Sequence, residues 1–162
     1  MRATQALLAL CALLPPQAQA ACVEASRSDL VLDGELATDT GRGLVWKRCA
    51  VGMQWDAGAN RCAGEPYAMS LGEAHDHAKQ QGNGWRVPTG PELETLLRDT
   101  CDGPKIDGAF PDIAASDFGE GATVWTSTEA IPGMFYFFDF TTGYADMHSQ
   151  GFQLSVLLVR QK

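Results

Sequence analysis

Five cysteines, three histidines and a run of aspartates are the side chains in this 162-residue sequence that could hold a metal or attack a bond. His75 and His77 stand two apart, which on a helix turns their side chains about 200° from one another, so they cannot share an ion there. Asp102, Asp107, Asp112 and Asp117 offer the hard oxygen ligands that calcium prefers, but their spacing matches no compact calcium loop. No Cys-x-x-Cys pair suggests zinc. No Gly-x-Ser-x-Gly, His-Glu-x-x-His or phosphate loop is present, and no nucleophile sits at a recognisable distance from a base. The reading is therefore of a protein that is not an enzyme and needs no cofactor, with calcium the one ion to consider.

The cysteines make better sense as cross-links. Met1-Arg2, the apolar run Ala6 to Leu14, Pro15-Pro16 and Ala18-Gln19-Ala20 form the three-part pattern of a secretory signal. The apolar run is far short of the roughly 20 residues that span a bilayer. Residues 1–20 are thus expected to be a removable leader, and residues 21–162 a single domain in the periplasm or outside the cell. Cys11 leaves with the leader, and Cys22, Cys49, Cys62 and Cys101 remain as an even set suited to two disulfides. Four cysteines allow three pairings. Gly52, Gly58 and Asn60 let the chain between Cys49 and Cys62 turn back on itself, which favours Cys49 with Cys62 and hence Cys22 with Cys101. The net charge of −8, one unit more negative without Arg2, repels nucleic acid and anionic lipid at long range.

The elements that would position these residues are short. Asp29 to Leu32 reads as a strand ending in the Asp33-Gly34 turn, and Gly43 to Cys49 as another, with Leu44 and Trp46 on one face and Val45 and Lys47 on the other. Ser70-Leu71-Gly72-Glu73 is a capping box that predicts a helix over residues 71–81, with Leu71, Ala74 and Ala78 inward and His75 at the edge of that face. Glu73 and His77 are spaced as a surface pair. Thr89-Gly90-Pro91-Glu92 repeats the device before a second helix with the stripe Leu93, Leu96, Leu97. Residues 103–121 read as an ordered loop anchored by Ile106, Phe110, Ile113 and Phe118. Strands are expected at 122–127, at 134–140 (apolar on both faces, hence not a solvent-facing edge), at 144–147 and at 152–160. The order argues for an α+β domain with segregated helices.

Several motifs in sequence order resemble the Lcl C-terminal-domain family, bacterial exported modules whose fold is similar to the C-type lectin-like fold. They are Thr38-Asp39-Thr40 through Gly43-Leu44-Val45-Trp46-Lys47-Arg48-Cys49, then Gly52, Trp55-Asp56 and Cys62-Ala63-Gly64. Gly84-Trp85-Arg86-Val87-Pro88-Thr89 with Glu92-Leu93 follows, then Cys101, Pro104, Ile106, Asp107 and Phe110-Pro111. Trp125-Thr126-Ser127, Phe138-Asp139-Phe140, Gly143 and Leu158-Val159-Arg160 complete the set. Leu157 stands where the closing strand usually has an extra arginine, and the tyrosine-rich loop before it is reduced to Tyr144, Asp146 and His148. The Glu65-Pro66-Tyr67 stretch lacks the asparagine of the usual lectin calcium motif. The resemblance implies that the first and last strands pair, that two helices flank the sheet, and that loops after the second helix present a ligand surface. It also implies adhesion, including binding of sulfated polysaccharides. The acidic charge opposes a polyanion unless basic residues cluster, and along the sequence they are dispersed.

The expected function is an exported recognition or adhesion module that binds a glycan or a protein through the loops between Gly103 and Gly151. Trp125, Tyr136 and Tyr144 would be stacking platforms, with Asp146 and His148 as a polar rim. Trp125 and Tyr136 also suit a core, which leaves Tyr144, Asp146 and His148 as the exposed set. In Trp85-Arg86, between a glycine turn and a helix start, Trp85 is expected to bury and Arg86 reads as a loop pin in preference to a ligand-binding arginine. The alternative role is a structural subunit of an envelope or appendage assembly, which would carry a large apolar surface patch.

Overall fold

The computed structural model describes residues 29–98, 105–113 and 123–162. The expected leader, Cys22, Cys101, Asp102, Asp117 and Phe118 lie outside the described residues, and so does the Cys22–Cys101 pairing.

Leu30–Asp33 (β1), Leu36–Asp39 (β2) and Leu44–Lys47 (β3) form an antiparallel meander, and the final strand Val159–Gln161 (β9) closes the sheet in the order β1-β2-β3-β9. The expected pairing of first and last strands is therefore corrected: β9 pairs with β3, and β1 is the opposite edge. The cause is β2, which no motif in the sequence announces. The Asp33-Gly34 turn feeds it directly back along β1, and it occupies the second edge of β3. Ala37, Leu44, Trp46 and Val159 point to one side and join a hydrophobic core. Val45 and Lys47 point to the other, as the alternation requires.

Gln54–Asp56 (β4) and Arg61–Ala63 (β5) make a small hairpin, with Cys62 bonded to Cys49 at a Cα separation of 5.5 Å. The helix Leu71–Gln81 (α1) has the expected bounds and capping box, with Leu71, Ala74 and Ala78 buried. Glu73 is engaged by the cap and by Gln153, while His77 faces Gln81, so the Glu73–His77 pair does not form. His75 is exposed and does not pack at the edge of the buried face. The second helix, Gly90–Glu94 (α2), also has its box but stops early. Leu96 and Leu97 follow in a turn, because the chain is drawn into a backbone pairing with residues 105–107, sealed by Arg98 on Asp107 at 2.6 Å.

Thr123–Ile131 (β6), Met134–Asp139 (β7) and Tyr144–Ser149 (β8) form a second antiparallel sheet, and the doubly apolar β7 is central, as its composition requires. The stretch expected as a long closing strand is regular only over β9. Residues 154–159 are nonetheless all buried. Leu157 and Val159 enter the core that contains Trp46, Phe110 and Phe138, while Leu154, Val156 and Leu158 enter a second core with α1, Val87 and Trp125. The alternation is that of a strand, but each side meets a different core. The whole is an α+β arrangement of mostly antiparallel sheets with two short helices.

Arg86 fulfils the loop-pin reading. Its guanidinium holds Glu92 through two hydrogen bonds, 2.7 and 2.5 Å, and its backbone pairs with Val159. The bond from Arg86, against the opposing effect of partial burial, pulls the Glu92 carboxyl down to about 2, with the Thr89 N–H and hydroxyl adding to the shift. A carboxyl whose folded pKa lies below its unfolded 4.5 contributes stability that is complete above pH 4.5 and is lost as pH falls towards 2. Arg86 is 37% exposed, so solvent screening holds the contribution to about 2 kcal/mol. Chemical denaturation between pH 6 and 2 should show this loss in the parent chain, and Glu92→Gln should lack it while being less stable at pH 6.

Candidate functional site

The described residues carry a cleft of about 620 Å³ on the face of the four-stranded sheet that looks away from the main core, lined by Glu35, Leu36, Lys47, Gln81, Asn83, Trp85 and Arg160. Its construction follows from pairing. Val45 is opposite Arg160 across the β3–β9 ladder, and Lys47 is two residues beyond Val45, so both cations rise from the same face. Trp85 is delivered from above. The chain leaves α1 through Gly82, Asn83 and Gly84, all at positive φ, and the Trp85 N–H returns to the Gly82 carbonyl. The Arg86–Val159 backbone pair then fixes the next residue beside β9.

The result is an indole with a cation at each of two positions: Lys47 Nζ lies 5.4 Å, and the Arg160 guanidinium 5.2 Å, from the ring centroid. Among the described residues neither cation makes an ion pair. Among the described residues the Arg160 guanidinium donates only to the Gln161 carbonyl, while Arg42, Arg86 and Arg98 each hold a carboxylate. Two uncompensated positive charges thus share one half-buried aromatic ring, with Glu35 the acid lining the same cleft. At physiological ionic strength the Debye length is about 8 Å, so the local pair outweighs the acidity of the rest of the surface for anything seated here. Sequence reasoning missed this set, because residues 47, 85 and 160 meet only through the β3–β9 register.

The residues expected from sequence separate. Trp125 is fully buried, its Nε1 donating to the Met69 carbonyl at 2.8 Å and its ring edge-on to Phe137, so it is a core residue and not a platform. Tyr144, Asp146 and His148 project on one face of β8, opposite Asp139, Phe137 and Phe135, whereas Tyr136 pairs with Met147 on the other face. The four cannot form one surface. Tyr144 is 73% exposed, and His148 stacks on Phe152 at 3.6 Å and accepts the Ser149 N–H. Tyr136 instead lines a groove of about 430 Å³ between α2 and the β6–β8 sheet, with Phe138 and Ala145 beside it.

Among the described residues no three His, Cys, Asp or Glu side chains gather as a metal site. Asp107 is committed to Arg98 and the Ala109 N–H, and Asp112 accepts the Cys62 N–H. No helix of the described residues is long and apolar enough to cross a membrane.

Comparison with known proteins adds one finding: the family model described as Lcl C-terminal domain matches residues 35–160. No curated protein and no solved structure matches.

Proposed function

The chain belongs to the Lcl C-terminal domain family, and from that premise we propose that it is an exported, non-enzymatic recognition module of C-type lectin-like fold that binds a glycan carrying an acidic group. One observation carries the reading: Lys47 and Arg160 both stand within 5.4 Å of the Trp85 ring centroid, and neither is neutralised by an ion pair among the described residues. An indole offers the apolar plane on which a sugar ring stacks. The cations supply charge-assisted hydrogen bonds to a carboxylate, and Gln81, Asn83 and Glu35 are suited to hydroxyls. The cross-linked hairpin fits an oxidising compartment.

The test is an NMR titration with a glucuronate–N-acetylglucosamine disaccharide. Shifts are expected to concentrate at Lys47, Trp85 and Arg160, Trp85→Ala should weaken binding at least tenfold, and Lys47→Ala with Arg160→Ala should remove most of its salt dependence. Unchanged affinity in both variants would overturn the assignment.

An assembly role has its own supporting observation. Ile131, Met134, Tyr136 and Met147 share one face of the β6–β8 sheet, beyond the part of that face where Val124 and Phe138 enter the core, and Ile131 is 55% exposed. If that stripe is an interface, light scattering should detect self-association that Ile131→Lys with Met147→Lys abolishes.

A further inference from the structure

The Trp85 cleft does not end at Gln81. It shares Glu35, Lys47 and Gln81 with a hollow of about 270 Å³ floored by Gly52. That hollow in turn shares Tyr67 and His77 with a third cavity of about 470 Å³, bounded by Glu73 and Asp76. The three adjoin as one furrow along α1, with an aromatic ring at either end.

Tyr67 is 60% exposed yet fixed at its base. Its N–H donates to the Val51 carbonyl at 2.8 Å, and Gly52 lies so close that a Cβ there would stand 2.7 Å from the Tyr67 nitrogen and 2.8 Å from its ring. Gly52 is at φ +99°, so its lack of a side chain both permits the turn and lets the ring rest against the furrow floor. Between the two rings stand the polar ends of Gln81 and His77, which touch at 3.3 Å. Charge changes along the furrow: at the Trp85 end two cations, Lys47 and Arg160, stand with one acid, Glu35, whereas at the Tyr67 end Glu73 and Asp76 would repel a second anionic group.

We propose that the furrow is one extended site for a linear polysaccharide in which acidic sugars are interspersed with neutral ones, stacked on Trp85 at one end and on Tyr67 at the other. This rests on the glycan reading of the Trp85 cleft and extends it to a second platform. A short oligosaccharide reaches only the Trp85 end. A longer one gains the Tyr67 contact without a second loss of translational freedom, which is the origin of its tighter binding.

Isothermal titration should compare the glucuronate–N-acetylglucosamine disaccharide, a hexasaccharide of three such repeats, and hexagalacturonate. The alternating hexasaccharide is expected to bind at least tenfold more tightly than the disaccharide and more tightly than hexagalacturonate. Tyr67→Ala should erase the gain with length and leave disaccharide affinity unchanged, and Tyr67→Phe should retain the gain. Equal affinity for disaccharide and hexasaccharide, or a gain indifferent to Tyr67→Ala, would overturn the extended site while leaving the Trp85 cleft standing. Hexagalacturonate binding as tightly as the alternating chain would overturn the charge sorting. Binding of none of the three would overturn the glycan reading and the furrow with it.

Discussion

Arg48→Ala is expected to lower the unfolding free energy by about 3–5 kcal/mol, a large share of the total stability of an ordinary domain. The residue is 3% exposed. Its Nε donates to the Ala109 carbonyl at 2.7 Å, its Nη1 to the Gly34 carbonyl at 2.8 Å, and its guanidinium lies 4.0 Å from the Trp55 ring centroid. One side chain thereby joins the β1–β2 turn, the 105–113 loop and the β4–β5 hairpin. Burial disfavours its charge and lowers its pKa, while the Asp112 carboxylate opposes that effect. Truncation removes the stack and leaves two carbonyls without their donor. Arg48→Lys keeps the charge but not the fork or the flat face, so it should recover only part of the loss. Urea denaturation reads the effect as a lower midpoint at unchanged slope. An Arg48→Met variant as stable as the parent would show that the three ties contribute nothing beyond packing.

The second large effect concerns the cross-link. Replacing Cys49 and Cys62 together by alanine should cost about 3 kcal/mol, the chain-entropy value for a loop of this size, here a separation of 13 residues. Amide exchange should locate the damage. The β4–β5 hairpin, which among the described residues makes no ladder with either larger sheet, is expected to lose protection first, with α1 and β7 following the global midpoint. An unchanged midpoint, or loss of protection in α1 ahead of the hairpin, would count against this assignment.

What could be read from the sequence was what is encoded locally. Both capping boxes use residues within one turn of each other, so Ser70–Glu73 and Thr89–Glu92 announced their helices, and the apolar run of β7 announced a central strand. The end of α2 was not legible, because Leu96 and Leu97 fit a helical stripe equally well and only the pairing with residues 105–107 draws them out of it. The closing segment looked like one long strand because a chain lying between two cores alternates just as a strand in a sheet does. Tyr136 and Tyr144 appeared as one platform until the β7–β8 register placed them on opposite faces. The Lys47–Trp85–Arg160 cluster was invisible for a related reason: pairing across most of the chain's length creates it, and nothing near any of the three signals the other two.

Residues 154–159, with their side chains shared between two cores, act as a common wall. Deleting one residue there would send Leu157 and Val159 where Leu154, Val156 and Leu158 belong, spoiling both interiors at once. Individual apolar exchanges can be absorbed on either side, but the length of this stretch cannot drift. Each core lacks a wall until this stretch has docked against it.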